Sequence, residues 1–244
     1  MRSTRVYVDA PLAAGARVRL PPFAADHLVR VLRLADGAAV ACFNGDGRDH
    51  AAILEIGARG AVELRIGAAT ERRNESPLAI TLVQSIARGE RMDLILQKAT
   101  ELGVARFVPV SSERTEVRLD EERASRRLAH WQRVVQSACE QCGRAVVPAV
   151  EAPVALAAHA AAVQELALEK RVLQPDADQG PASLAPCGAL LLAAGPEGGF
   201  SGRDLGLLAQ AGYRGLRLGP RILRTETAGL AAIAALQSRL GDLA

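Results

Sequence analysis

The chain has 244 residues, 49% of them hydrophobic and only 3% aromatic, so its core must be built mainly from aliphatic side chains. The formal net charge is only +3, yet 28 of the 30 basic residues are arginine, which indicates either a biased genomic composition or phosphate recognition by guanidinium groups. The first twenty residues carry several charges, and no apolar run reaches the ~20 residues of a membrane span. We therefore expect no leader and no membrane segment, and a cytoplasmic location.

The first seventy residues predict a small β-barrel. Short strands are predicted at 5–8, 39–43, 51–56 and 61–66. A helix is predicted over 24–34, because Leu28, Val31 and Leu32 recur at helical spacing. The Asn-Gly-Asp-Gly run at 44–47 predicts a tight hairpin. Short strands joined by glycine turns are typical of small barrels, and the polar segment 70–77 that follows marks a boundary between domains 1–72 and 73–244.

The rest of the chain predicts an α/β domain. Strands are predicted at 78–86, 105–110, 146–150, 171–173, 189–194 and 214–218. Helices are predicted at 90–102, 120–142, 154–166, 203–211 and 225–240. The strand at 189–194 is entirely apolar, as expected for a parallel strand buried on both faces. Alternation of this kind predicts a mostly parallel sheet with helices on both faces.

Two loops in the last quarter of the chain are the strongest candidates for a ligand site. The glycine loop, residues 195–201, follows one apolar strand, and the arginine loop, residues 218–225, follows the next. Ser201 and Asp204 have the spacing of a capping box, and Thr225 is expected to cap the last helix. Loops at the carboxyl ends of parallel strands usually bind the ligand in open α/β sheets.

Other interpretations of these features remain open. A glycine-rich turn needs no ligand, and the two arginines of the arginine loop could be solvated surface groups. The glycine patterns of dinucleotide-binding and P-loop folds are absent from the sequence. Cys139 and Cys142 form a C-x-x-C pair late in a predicted helix, and no second pair lies nearby. We expect packed thiols there and no metal site, with metal or redox use as the alternative.

The chain resembles the RsmE family of SPOUT methyltransferases, which methylate N3 of a uridine in small-subunit (16S) ribosomal RNA. The matching segments run through the chain in the family's order. They are residues 27–33, 88–92, 97–104, 112–114, 138–144, 195–199 and 218–227. Together they are specific, although each alone is weak. Cys139 and Cys142 belong to one of these segments, so the pair needs no metal to explain it.

The resemblance implies an N-terminal PUA-like RNA-binding β-barrel and a SPOUT domain whose parallel sheet ends in a C-terminal trefoil knot. It also implies a homodimer that uses S-adenosylmethionine and binds 16S ribosomal RNA or the small ribosomal subunit. The implied cofactor residues are Leu173, Gln174, Pro175, Gly195, Pro196, Glu197, Gly198, Gly199, Leu218, Gly219, Ile222, Leu223 and Thr225. Gln174 is a departure from the family pattern, which has a polar ring residue such as histidine at this position.

Methyl transfer to a uridine nitrogen requires loss of the N3 proton. Arg224 and Arg88 are therefore candidates for stabilising the imide anion or a phosphate, and Glu197 is a candidate base. The alternative role for Glu197 is to hold its loop through backbone N–H groups. The candidate RNA-phosphate contacts in the first domain are Arg5, Arg30 and Arg33.

Two other functions compete with this one. A non-catalytic RNA-binding or ribosome-assembly factor could retain the fold, but the intact loops at 195–199 and 218–225 favour an enzyme. A different nucleotide-using enzyme on a doubly wound sheet is disfavoured, because the phosphate-binding glycines are missing.

Overall fold

The computed structural model describes residues 4–57, 60–117 and 120–243. Contacts divide the chain into two units. The first unit comprises Met1–Glu75 and Cys139–Val147, and the second comprises Ser76–Ala138 and Pro148–Ala244. The division after Glu75 lies close to the boundary predicted after residue 72. No sequence pattern indicated that Cys139–Val147 would group with the first unit.

The first unit contains a five-stranded sheet with strand order β1-β3-β4-β5-β2. Its strands are β1 (Arg5–Tyr7), β2 (Arg17–Arg19), β3 (Ala39–Phe43), β4 (Arg48–Ile56) and β5 (Val62–Glu71). β1 pairs with β3 in parallel, and the remaining pairs are antiparallel. Fully buried Leu28, Cys42, Leu54 and Leu64 belong to its core. Strand β2 was not predicted, because Arg17-Val18-Arg19 carries a single apolar residue.

In place of the single helix predicted over 24–34, the structure has a short α-helix followed by a π-helical turn. Helix α1 (Pro22–Asp26) continues into a π-helical turn, His27–Val31, in which the Leu32 N–H donates to His27 O at 2.9 Å. Leu28 is fully buried, but Val31 and Leu32 are 66% and 42% exposed. The helical spacing of these three apolar residues therefore does not correspond to a shared buried face. The wider π turn rotates the later side chains away from the buried face.

The second unit is built on a wholly parallel sheet. Its strands are β6 (Ala79–Ser85), β7 (Val104–Ser111), β8 (Ala149–Val150), β9 (Val154–Ala155), β10 (Glu169–Leu173), β11 (Ala189–Ala194) and β12 (Arg214–Leu216). The strand order is β12-β10-β11-β6-β7-β8, with β9 also paired to β7. The predicted parallel α/β architecture is confirmed.

Helices cover both faces of this sheet. They are α2 (Glu90–Glu101), α3 (Glu121–Cys142), α4 (Leu156–Val163), α5 (Gly202–Gln210) and α6 (Thr225–Leu240), with a 3-10 turn at Pro181–Ser183. On one face, Leu191 of β11 belongs to a core that includes Leu156 of α4 and Leu208 of α5. On the other face, Gly229 of α6 lies close to the Leu82 side chain. Among the described residues, no helix is both long enough and apolar enough to span a membrane.

The strand order brings three loops to one edge of the sheet. β10 lies between β11 and β12, and all three strands run parallel. Their carboxyl ends are therefore neighbours, and the chain leaves them through residues 174–180, the glycine loop and the arginine loop. This edge is where α/β sheets usually bind ligands.

Candidate functional site

The glycine and arginine loops meet through a hydrogen bond. The Thr225 hydroxyl donates to Gly195 O at 2.6 Å, and the Gln84 amide lies 3.4 Å from the same hydroxyl. Thr225 is the first residue of α6, and Arg224 occupies the N-cap position without a side-chain capping bond. The prediction that Thr225 caps this helix is therefore wrong. Its hydroxyl connects two loops that are 30 residues apart in the chain.

A cavity of about 260 Å³ lies between these loops. Every residue predicted above for the cofactor loops, from Leu173 to Thr225, lines this cavity. Phe200 of the glycine loop and Arg221 of the arginine loop also line it, together with Arg114, Ala194, Leu205, Leu216 and Ala228. The fold thus gathers the three predicted loop segments around one concave surface.

The glycine loop needs glycine for close packing as well as for its backbone conformation. A Cβ on Gly195 would lie 3.1 Å from the Phe200 nitrogen and 3.3 Å from backbone atoms of Gly199. Gly199 has φ of +67°, in the left-handed region that favours glycine. The predicted capping box is confirmed, since the Ser201 Oγ accepts from the Asp204 N–H and Asp204 accepts from the Ser201 N–H.

The arginine loop offers apolar surface and available backbone donors. Ile222 lines the cavity, and the residue is 85% exposed. Gly219 turns the chain with φ of +79°. The N–H groups of Leu218 and Leu223, and that of Gly198 opposite, donate no hydrogen bond to any residue the structure describes. Apolar walls with a few unpaired donors suit a flat ligand that has polar edges.

A turn at residues 112–115 supports the glycine loop from outside. The Ser201 hydroxyl donates to the Glu113 carboxylate at 2.7 Å, and Arg114 Nη1 donates to Gly198 O at 2.8 Å. The Ser112 N–H donates to the Thr115 hydroxyl at 2.9 Å, which closes the turn. The sequence marked residues 112–114 only through the family resemblance. No local pattern indicated that they reach the glycine loop.

Glu197 is held by its neighbours as an anion. Its carboxylate accepts from the Arg88 N–H at 3.1 Å and from Arg91 Nη1 at 2.8 Å. Partial burial opposes ionisation, but the hydrogen bonds from backbone N–H groups and from Arg91, with the Arg91 charge, outweigh it and lower the pKa of Glu197. A carboxylate with a lowered pKa is a weak base. This geometry favours the loop-holding role.

The two candidate arginines differ in availability. Arg88 Nη1 lies 2.7 Å from the Glu116 carboxylate, and both side chains are more than half exposed. Arg224 is exposed and directly follows Leu223 of the cavity wall. Its guanidinium has no hydrogen bond or ion pair within the described part of the chain. Arg224 is therefore the more accessible cation next to the cavity.

The candidate phosphate contacts of the first unit also differ in their exposure to solvent. The Arg5 side chain is only 7% exposed; its guanidinium lies 2.6 Å from Asp49 and 4.3 Å above the Phe43 ring centre. This arginine is not available to a phosphate, which corrects the sequence-based expectation. Arg30 and Arg33 are exposed, and Arg30 makes an exposed ion pair with Asp26 at 3.3 Å.

Cys139 lies in the last turn of α3 and is buried, whereas Cys142 is half-buried. Burial raises the pKa of the Cys139 thiol to about 12, so it is protonated at neutral pH. The Cys139 Sγ is 3.8 Å from Val146 O. The residues that the structure describes include no group of three or more His, Cys, Asp or Glu side chains placed to hold a metal ion. The thiol is therefore packed in the interior of the first unit.

Comparison with known proteins identifies the family. A family model described as an RNA methyltransferase domain matches residues 74–237, and one described as an RNA methyltransferase PUA domain matches residues 24–67. The ribosomal RNA small subunit methyltransferase E of Buchnera aphidicola is 34% identical over 247 aligned residues, covering 99% of this chain and 98% of that protein. The chain belongs to the ribosomal RNA small subunit methyltransferase E family. The resemblance seen in the sequence is confirmed.

Solved structures agree with this assignment to the methyltransferase E family. A methyltransferase E from Neisseria gonorrhoeae, described as bound to S-adenosyl methionine, is 39% identical with a TM-score of 0.88. A Legionella pneumophila protein whose structure is described as in complex with the bound cofactor SAM is 37% identical with a TM-score of 0.94. Each match covers 100% of both chains.

Proposed function

We propose that this protein transfers a methyl group from S-adenosylmethionine to N3 of a uridine in 16S ribosomal RNA. The observation that carries the proposal is the cavity at the carboxyl ends of β10, β11 and β12, with its two loops joined by the Thr225–Gly195 hydrogen bond. Relatives that cover this chain end to end are described as bound to S-adenosylmethionine. The curated relatives carry the name of a small-subunit ribosomal RNA methyltransferase.

The residues present fit that cofactor. The cavity of about 260 Å³ is just below the range of about 300–1,000 Å³ typical of small-molecule sites. Apolar side chains of Leu173, Leu218 and Ile222 provide surfaces for an adenine ring. The unpaired N–H groups of Gly198 and Leu223 provide donors for its polar edges. The close Gly195 turn keeps side-chain atoms out of the space between the loops.

The chain's own contribution is to orient the uridine and stabilise its anion. When bound, S-adenosylmethionine supplies an electrophilic methyl group on a sulfonium. The uridine N3 is a poor nucleophile until its proton leaves, so a cation beside the uracil oxygens promotes the reaction. Arg224 is the exposed guanidinium next to the cavity wall, and Arg88 is positioned through Glu116 and through its N–H to Glu197. We assign Arg224 to the imide oxygen and Arg88 to positioning.

We expect Glu197→Gln to leave the pH dependence of methylation unchanged. Since the pKa of Glu197 lies below its ordinary value of 4.5, the carboxylate is ionised throughout the neutral range and does not titrate there. Its contribution to stability is present above pH 4.5 and is lost as the pH falls through its lowered pKa. The measurement is single-turnover methylation as a function of pH for both proteins.

The rate should rise with pH along parallel profiles, with the variant's affinity for S-adenosylmethionine reduced because the Arg88 and Arg91 contacts weaken. Glu165→Gln, at an exposed position outside the cavity lining, is the matched control and should behave as wild type. A profile that becomes flat in Glu197→Gln alone would restore Glu197 as the general base.

Several family features belong to the same proposal. We propose that the C-terminal segment forms a trefoil knot; β12 lies beyond β10 from β11, whereas α6 returns to pack on β11 and β6. We also propose a homodimer that acts on the small ribosomal subunit or its RNA in the cytoplasm. The division into a PUA-like domain, 1–72, and a methyltransferase domain, 73–244, is supported by the two family models and by the separation of contacts after Glu75.

Methyl mapping of ribosomal RNA tests the function directly. Small subunits from cells that lack the protein are incubated with the purified protein and isotopically labelled S-adenosylmethionine, and the nucleosides are analysed by mass spectrometry. We expect label in 3-methyluridine at a single position of 16S RNA. Absence of label, with cofactor binding intact in calorimetry, would favour a non-catalytic RNA-binding factor.

A further inference from the structure

We infer that Phe23, His27 and Val31 form an exposed stripe on the first unit that stacks against unpaired RNA bases. We call this set the Phe23 stripe. The inference rests on the proposed function, because it specifies which part of an RNA substrate this unit would recognise. The stripe is far in sequence from the cavity residues. Its proposed role is to stack against bases, which the proposed phosphate contacts of Arg30 and Arg33 cannot do.

The exposure of the stripe is unusual for a short surface helix. Ala24 and Leu28 face the core and are 4% and 0% exposed, which accounts for the buried side of α1 and the π turn. Phe23 and Val31 lie on the outer side at 62% and 66% exposure, with His27 between them in the sequence. A surface helix normally carries polar residues on this face. Spacings of four residues place the three side chains along one side.

The backbone of this segment departs from regular geometry at two places. The π turn His27–Val31 replaces α-helical bonding, and π turns occur frequently at functional sites. Arg33 has φ of +54°, and it is the single non-glycine residue with positive φ among those the structure describes. Arg33 follows the end of the helical segment, where a left-handed residue is common, and the Leu34 N–H donates to Leu28 O at 3.0 Å across it. Val31 is the last residue of the π turn and is 66% exposed.

The charges around the stripe identify RNA as the occupant. Arg30 and Arg33 are exposed on the same segment, and the Asp26 partner of Arg30 is 60% exposed, so their ion pair is weak in water. Aromatic and apolar faces beside guanidinium groups are the combination that binds single-stranded nucleic acid, with bases stacked and phosphates neutralised. A second copy of this chain would bring the same arginines together and repel.

The test separates stacking from phosphate contacts through the salt dependence of binding. The probe is a fluorescein-labelled single-stranded RNA of about twelve nucleotides, within the site sizes of single-strand binders. We expect Phe23→Ala to weaken binding about 5- to 100-fold without changing the slope of log affinity against log salt. Phe23→Trp should retain affinity. Arg30→Ala should instead lower the slope by about 0.7, the value for one phosphate contact on a single strand.

Leu166→Ala is the matched control, since Leu166 is 47% exposed on the second unit. It should bind RNA as wild type does. If Phe23→Ala bound RNA with wild-type affinity and the wild-type protein methylated small subunits, the inference about the Phe23 stripe would be overturned and the proposed function would stand. A wild-type protein that neither binds RNA nor methylates it would overturn the proposed function itself. A fall in sedimentation mass for Phe23→Ala would show a self-association surface and would also overturn the inference.

Discussion

Replacing Arg224 with alanine should lower the rate of methyl transfer about 100- to 1,000-fold, the usual cost of removing one donor that stabilises a developing oxyanion. The affinity for S-adenosylmethionine should stay within about threefold of wild type, a change below 1 kcal/mol. The reason is positional, because Arg224 follows the cavity wall but does not line the cavity. Its side chain makes no capping bond, so alanine should not weaken the start of α6.

Two measurements check this expectation: single-turnover methylation of small subunits and titration calorimetry with the cofactor. Arg203→Ala is the matched control, because Arg203 is exposed on α5 and makes no ion pair with a described residue. Arg224→Lys retains the charge without the fork and should give an intermediate rate. Equal losses of rate and cofactor affinity in Arg224→Ala, or no loss at all, would remove Arg224 from the proposed mechanism.

Replacing Gly195 with alanine should weaken S-adenosylmethionine binding at least about tenfold, a change of about 1.4 kcal/mol. The new methyl group would lie 3.1 Å from the Phe200 nitrogen and 3.3 Å from Gly199 backbone atoms, and these backbone atoms must move to make room. Overpacking of this kind costs about 1–3 kcal/mol. Gly195 itself carries the carbonyl that accepts from Thr225, so crowding at this residue bears on the contact between the two walls of the cavity.

Gly206→Ala provides the matched control for this substitution. Gly206 lies inside α5, and no atom stands within 4 Å of the position that an added methyl group would occupy, so alanine fits there without displacement. Cofactor binding should be unchanged, and the protein should gain about 0.5–1 kcal/mol of stability from the better helix former. Calorimetry gives both affinities, and thermal unfolding shows that each variant is folded. Wild-type affinity in Gly195→Ala would mean that the glycine loop does not form the cofactor site.

The sequence predicted regular elements well where local signals agree. The bounds of β11 and α6 match those predicted, 189–194 and 225–240, because an apolar run and clear terminal signals mark them. The 24–34 helix could not be predicted correctly, since nothing in its spacing distinguishes an α-helical from a π-helical turn. Strand β2 was missed because pairing with β5, rather than its own composition, makes it a strand.

At the site, too, features marked by the local sequence were predicted, whereas features that depend on contacts distant in the chain were not. The glycine and arginine loops were recognisable from their glycines and from the apolar strands before them. The roles of Thr225 and of the 112–115 turn depend on hydrogen bonds to residues far away in the chain, and spacing cannot indicate them. Arg5 was a candidate phosphate contact, but its side chain pairs with Asp49 and lies over the Phe43 ring, which leaves it only 7% exposed.

The hydrogen bond between Thr225 and Gly195 also bears on when the protein becomes competent during its synthesis. One partner begins α6, the last helix the structure describes, and the other leaves β11 some 30 residues earlier. A nascent chain emerges from its amino terminus, so the sheet edge can be assembled while its second wall is still inside the exit tunnel. Affinity for the methyl donor therefore arises only once α6 has been synthesised, and a ligand bound between the walls would in turn hold α6 against the sheet.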